Sequence, residues 1–252
     1  MIRSRIFSPP AKGQFIYKNT EVFRIEGLSD AVFAFSISLL VASLEVPQTF
    51  RELKLVAVGS FPFLATVAMI FLFWYHQYVF FRRYGLNDKT TILLNFGYLA
   101  VILFYVYPLK FLFTLLLSAW TGIDLFAKAS EHGLVVLDTR EFPQLIILFS
   151  AGYMLIWIII YFMYKHVLRS SARALLSDSE TEFTAREARG ALWNGYIGLA
   201  GILFSWANQP VLSGICFLLI PLALWLNRRL PVNSKWLKIK MRGVDMRKVV
   251  SR

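Results

Sequence analysis

Cysteine is nearly absent from this chain. A single one, Cys216, lies inside an apolar run, so no internal disulfide can form and no cysteine set exists for zinc or iron–sulfur ligation. Histidine is scarce as well, with only His76, His132 and His166. Charge is thin: Asp, Glu, Lys and Arg make up 17% of the 252 residues, against about 25% in soluble domains. There is no phosphate-binding P-loop, no dinucleotide-binding glycine pattern and no HExxH zinc motif. No metal and no cofactor is therefore expected, and no enzymatic activity. The first 23 residues are polar and basic, carry Pro9, Pro10 and Gly13, and lack an apolar centre, so a cleavable signal peptide is not expected.

Apolar residues are abundant. They form 57% of the chain, and the mean hydropathy is +0.57. They fall in continuous runs of about 20 residues, the length a helix needs to cross a bilayer. Continuous rather than alternating runs exclude a membrane β-barrel. The fold class is all-α, a polytopic membrane protein with six transmembrane helices in a single domain over 1–252. Within it, 1–21 form a basic tail, 22–227 the membrane region and 228–252 a second basic tail.

The six segments run from about Val22 to Val46, Leu53 to Phe81, Thr90 to Trp120, Pro143 to Tyr164, Arg189 to Ala207 and Val211 to Leu226. Pro62 should kink the second or mark its true start. Asn208-Gln209-Pro210 is a tight-turn signal that joins the last two as a hairpin. Thr184 and Glu187 have the spacing of a capping box, which places the start of the fifth helix there.

The net charge is +12. In a soluble protein that would suggest nucleic acid, but topology accounts for it here, and no nucleic-acid partner is expected. Of the 27 lysines and arginines, 22 lie in the two tails and the two connections on the same side. Asp124, Glu131, Asp138 and Glu141 make the long connection on the other side net acidic. By the positive-inside rule both termini are expected to be cytoplasmic, in a multi-pass protein of the cell membrane. Residues 235–242 alternate bases with apolar residues. They are expected either to lie on anionic membrane lipid or to be a solvated positive tail.

Polar groups at membrane depth each need a reason, since an ionised one costs roughly 2.5–3.5 kcal/mol. The first segment is the densest, with Arg24, Glu26, Ser29, Asp30, Ser36, Ser38 and Ser43. Phe35, Ser38, Leu39, Ala42 and Val46 share a narrow uncharged stripe. Asp30 is five residues before Phe35, about 140° around the helix, so it turns away from that stripe. Asp30, His76 and Asn95 fall at one depth near the cytoplasmic boundary, where a cluster of the three would satisfy its own hydrogen bonds. A catalytic use of Asp30 with His76 lacks an accompanying nucleophile or metal set.

Arg24-Ile25-Glu26-Gly27-Leu28-Ser29-Asp30 resembles the R-x-x-x-F-S-D signature on the first helix of the endolysosomal potassium channel family. Within that family it is most similar to the short prokaryotic branch. Phe73-Trp74-Tyr75-His76 resembles the family's W-x-x-H on helix two, and Leu93-Leu94-Asn95 with Tyr107-Pro108 its stretch on helix three. The resemblance covers about residues 20–115. Leu28 stands in place of the motif's Phe, Gln77 in place of a second His, and Phe35 in place of the usual Ile or Leu. The family has no T-V-G-Y-G filter, and neither has this chain.

The resemblance implies a potassium-permeable homotetramer whose first helices line an apolar pore, with potassium as the permeant ion. It places Phe35, Ser38, Leu39 and Ala42 in the pore. It also implies that Arg24, Ser29, Asp30, His76 and Asn95 form a polar network that holds helix one without touching the ion. Two other readings remain at this stage. One is a non-conducting structural or partner-binding membrane protein of the same fold. The other is a secondary transporter, for which the expected repeat and broken helices are not visible.

Overall fold

The computed structural model describes residues 22–43, 46–126, 137–138, 140–170, 172 and 176–231. Residues 235–242 lie outside that set. Among the described residues all regular structure is helical, and seven α-helices are formed. They are α1 (Arg24–Ala42), α2 (Phe50–Tyr84), α3 (Lys89–Thr121), α4 (Phe142–Arg169), α5 (Asp178–Trp206), α6 (Pro210–Leu218) and α7 (Ile220–Arg229). The helices α1 to α4, and α6 with α7 as one unit, are long and apolar enough to cross a membrane. At 29 residues α5 has the length, but its first turns are polar.

Helix ends follow local chemistry. Thr49 caps α2 by accepting from the Glu52 amide at 3.2 Å. Gly85, at φ 58°, closes α2 in the left-handed conformation that glycine adopts without penalty. Asp88 then caps α3 by accepting from the Thr90 amide. The connection is short, so α2 and α3 pack antiparallel. Pro62 is buried inside α2 without ending it, and Thr66 donates to its carbonyl at 2.8 Å.

Two of the expected boundaries are corrected. The capping box that starts α5 is Ser177 with Glu180, not Thr184 with Glu187. Thr184 is instead buried two turns inside α5, where its hydroxyl pairs with Tyr84 at 2.9 Å and donates to the Glu180 carbonyl. The same S/T-x-x-E spacing occurs three times between residues 177 and 187, and only Ser177 with Glu180 stands at the helix start and acts as a cap. The last segment is also not one helix. Pro221 cannot donate to the carbonyl one turn back, so the chain breaks at Leu219 between α6 and α7.

Helices α2, α3, α4 and α5 form the packed body, with Phe73, Tyr98, Ile102, Tyr105, Leu109 and Ile156 at its centre. Close helix approach in a membrane relies on small residues, and glycines supply it here. A Cβ on Gly198 of α5 would stand 2.8 Å from the Met154 Cβ of α4, and one on Gly201 would stand 2.7 Å from the Ser150 hydroxyl. On the other side of α4, a Cβ on Gly152 would overlap the Tyr105 ring of α3. That ring is buried and pinned by its hydroxyl, which donates to the Phe149 carbonyl at 3.1 Å. Gly152→Ala is therefore expected to destabilise the protein by about 1–3 kcal/mol, seen as a lower melting temperature in detergent.

The end of α7 is held by Arg189 of α5. Its guanidinium donates to the Asn227 side chain and to the carbonyls of Asn227, Leu230 and Pro231, all within 2.8–2.9 Å. Asn227 returns a bond to the Arg186 carbonyl. The orphan carbonyls of the last described helix are thus satisfied by one side chain from its neighbour.

Candidate functional site

Helix α1 packs chiefly against α2 and α3. Ser29, Phe33, Ser36 and Leu40 are its buried stripe, spaced by four, three and four residues. Shifting by two residues rotates the helix by about 200°, and the shifted set Ala31, Phe35, Ser38 and Ala42 is exposed. Phe35 is 56% exposed, while Leu39 at the edge of the stripe is half-buried. The face is free of charge and, Phe35 apart, built from small side chains. Val46 lies beyond the end of α1, whose C-cap is Ser43, so it does not extend the stripe as its spacing suggested.

Ser38 is placed to use its oxygen. Its hydroxyl donates to the Ala34 carbonyl of its own helix at 3.0 Å. With the proton turned inward, the lone pairs face outward from the exposed side. Ser29 and Ser36 bond back to Ile25 and Val32 in the same way, on the buried side.

Below the stripe the three helices are tied by a buried polar chain. Asn95 of α3 donates to the Ser29 hydroxyl at 2.9 Å and accepts from Gln77 of α2 at 2.6 Å. All three side chains are buried. Asp30 does not join them. It is exposed and accepts from the Trp74 indole at 2.7 Å, and that indole stacks on Tyr78.

His76 is elsewhere again, edge-on to Trp157 of α4 with ring centroids 5.2 Å apart. Arg24 makes no hydrogen bond to the described residues and is exposed. The expected Asp30–His76–Asn95 cluster is therefore replaced by two separate anchors, Ser29–Asn95–Gln77 and Asp30–Trp74. The reason is angular: 76 and 77 differ by 100° on α2, and it is residue 77 that faces α3. Gln77 was visible in the sequence only as a departure from a histidine, although an amide at membrane depth is itself a signal of a buried partner.

A second tie lies at the connection between α2 and α3. His166 of α4 pairs with Asp88 at 2.8 Å, and Thr91 donates to the same carboxylate at 2.6 Å. Burial disfavours the charged carboxylate, but the bond from Thr91 and the bond and charge of His166 outweigh it and hold Asp88 below its ordinary value of 3.8. A depressed carboxylate stabilises the fold above its unfolded pKa, and that contribution is lost as pH falls through its folded pKa. The melting temperature of wild type is thus expected to exceed that of Asp88→Asn at neutral pH. The gap should close as pH falls below the carboxylate range. A gap constant from neutral to acid pH would show that the charge is not what matters.

Among the described residues no group of three or more His, Cys, Asp or Glu side chains is positioned to hold a metal ion.

Three comparisons bear on this geometry. A family profile described as the endosomal/lysosomal potassium channel TMEM175 matches residues 24–105, which span α1, α2 and half of α3. A protein of Marivirga tractuosa named as a potassium channel is 33% identical over 229 residues, covering 85% of this chain and 90% of that protein. A crystal structure of a variant of the potassium channel MtTMEM175, bound to a nanobody–MBP fusion protein, superimposes with a TM-score of 0.73 at 29% identity. It covers 88% of this chain and 97% of that one. The fold is also shared with a lysosomal potassium-selective channel TMEM175 homolog from Chamaesiphon minutus, at a TM-score of 0.54 and 19% identity over 81% of this chain and 96% of that one.

Proposed function

The chain belongs to the TMEM175 family of potassium channels, and from that premise we propose that its potassium pore is built by four copies of α1. The observation that carries this is the uncharged face of Ala31, Phe35, Ser38 and Ala42, exposed on a helix whose opposite face is fully packed. A charge-free exposed stripe on a membrane helix is met either by lipid or by a second copy. The small side chains favour close approach of copies around an axis.

In this arrangement Phe35 forms the narrowest apolar ring. Such a ring excludes water, so an ion must give up part of its hydration to pass. Potassium holds its water less tightly than sodium and loses less. Ser38, one turn further along, offers oxygen lone pairs in place of the lost water. Leu39 closes the gap between neighbouring copies. Ser29, Asn95 and Gln77, with Asp30 on Trp74, hold α1 at a fixed rotation so that Phe35 and Ser38 face the axis. Arg24 has no described partner within the protomer, and its anchoring role is assigned to contact between copies. His76 acts by packing on Trp157 rather than by chemistry.

Both termini are placed in the cytoplasm, with Arg51, Lys54, Lys110, Lys128 and Arg140 on the other side. A reporter active only outside the cytoplasm, fused after Arg252, is expected to stay silent. A strong signal would overturn the orientation.

The decisive experiment is potassium flux into vesicles that hold the purified chain, with protomer number measured on the same sample. Flux that follows the potassium gradient, carried by a tetramer, is the expected result. A stable tetramer with no flux across a range of potentials and pH would overturn the pore. A conducting dimer or monomer would overturn the four-copy arrangement.

A further inference from the structure

Lys110 of α3 reaches across to the end of α1. It donates to the Ser43 hydroxyl at 2.5 Å and to the Ser43 carbonyl at 3.5 Å. Both acceptors are neutral, and no carboxylate of the described residues is paired with it. A half-buried cation without an opposite charge is unfavourable near hydrocarbon. A lysine ammonium has three donors, and Ser43 takes up at most two.

The depth of this group is fixed by helix rise. Lys110 is 21 residues from the start of α3, about 31 Å at about 1.5 Å per residue, and Ser43 is about 28 Å from the start of α1 by the same rise. Both distances match the ~30 Å hydrocarbon thickness. The ammonium therefore lies at the outer headgroup boundary when the starts of α1 and α3 lie at the inner one.

Beside it is a cavity of about 540 Å³. Apart from Lys110, Ser43 and Thr114 its walls are Tyr107, Pro108, Phe111, Leu125, Phe126, Leu145 and Leu148. Tyr107 and Leu148 are 49% and 42% exposed at its rim, so the cavity opens to the surface of the bundle. A site of this volume is within the range of small-ligand pockets.

We propose that this cavity binds one anionic phospholipid of the outer leaflet. Its phosphate pairs with the Lys110 ammonium, and one acyl chain runs inward along Tyr107, Pro108 and Leu148, up to about one helical turn below. The occupant follows from the juxtaposition: a single uncompensated cation at headgroup depth, directly over apolar walls at chain depth. Because the same ammonium holds Ser43, the headgroup and the outer end of α1 share one donor. The site is separate from the Phe35–Ser38 stripe and does not depend on conduction.

The test uses the full chain in phosphatidylcholine vesicles doped with phosphatidylglycerol that carries a photoreactive group on its acyl chain. A matched photoreactive phosphatidylcholine is the second arm. After illumination, adducts are mapped by peptide mass spectrometry. The anionic probe is expected to label residues 107–114 and 145–148 about fivefold more than the neutral one, the effect of one lysine near an anionic lipid. Lys110→Met should reduce labelling by the anionic probe to the neutral level, and Lys110→Arg should keep it. Leu148→Trp, which fills the cavity and leaves the charge, should reduce labelling by both probes. Equal labelling by the two probes in wild type would overturn the headgroup assignment. Labelling unchanged in Leu148→Trp would overturn the cavity. Absence of lipid adducts together with protein–protein crosslinks at 107–114 would assign the surface to a neighbouring copy and overturn the proposal.

Discussion

Vesicles that hold Phe35→Ala should take up potassium at least about tenfold faster than wild type, with sodium now entering as well. A tenfold change needs only ~1.4 kcal/mol off the barrier, less than the ~1.5–3 kcal/mol apolar contribution of one large side chain. The side chain is 56% exposed in the protomer and is not part of the buried core cluster. Assembly should therefore persist, and the change should appear in flux rather than in stability. Ser38→Ala is expected to do the reverse. It removes an outward oxygen but no packing, so total flux should fall modestly and the potassium preference should weaken. If Phe35→Ala and wild type are equally impermeable as stable tetramers, the ring is ordinary helix packing. Measured sodium and potassium uptake on the same vesicle preparations separates the two residues.

The largest loss of stability should come from Asn95→Ala. Its amide is the link between α1 and α2, accepting from Gln77 and donating to Ser29. Removing it leaves the buried Gln77 amide without an acceptor at about 1–3 kcal/mol, and a small cavity adds to that. A total of about 2–4 kcal/mol is expected, measured as a lower melting temperature and a lower yield of assembled protein. Gln77→Leu together with Asn95→Leu should recover much of this, because replacing both partners by apolar groups leaves nothing unsatisfied. Flux need not recover with it, since the rotation of α1 depends on Ser29 having a partner. Asp30→Asn, by contrast, keeps an acceptor for Trp74 and should cost little stability.

The membrane class, the helical architecture, the family and the exposed stripe on α1 were all legible in the amino-acid sequence. Each depends on a property that one chain carries locally. Apolar runs of bilayer length define the spans, and helical spacing puts 35, 38 and 42 on one face. The buried stripe 29, 33, 36 and 40 follows from the same period. The start of α5 was legible in principle too, but three S/T-x-x-E patterns competed, and only one stood at a real helix end.

The partners of the polar residues were decided by tertiary structure. Equal depth along three helices places Asp30, His76 and Asn95 in one layer, but contact also requires that each helix be rotated toward the others. That rotation is set by the whole packed face, by Phe73 and Tyr98 between α2 and α3 and by glycine contacts between α4 and its neighbours. It turned Gln77 rather than His76 toward Asn95, and gave Asp30 to Trp74. The pairing of Lys110 with Ser43, 67 positions apart, has no sequence signature for the same reason. Sequence period fixes which residues of one helix share a face. Only the mutual packing of helices fixes which faces meet.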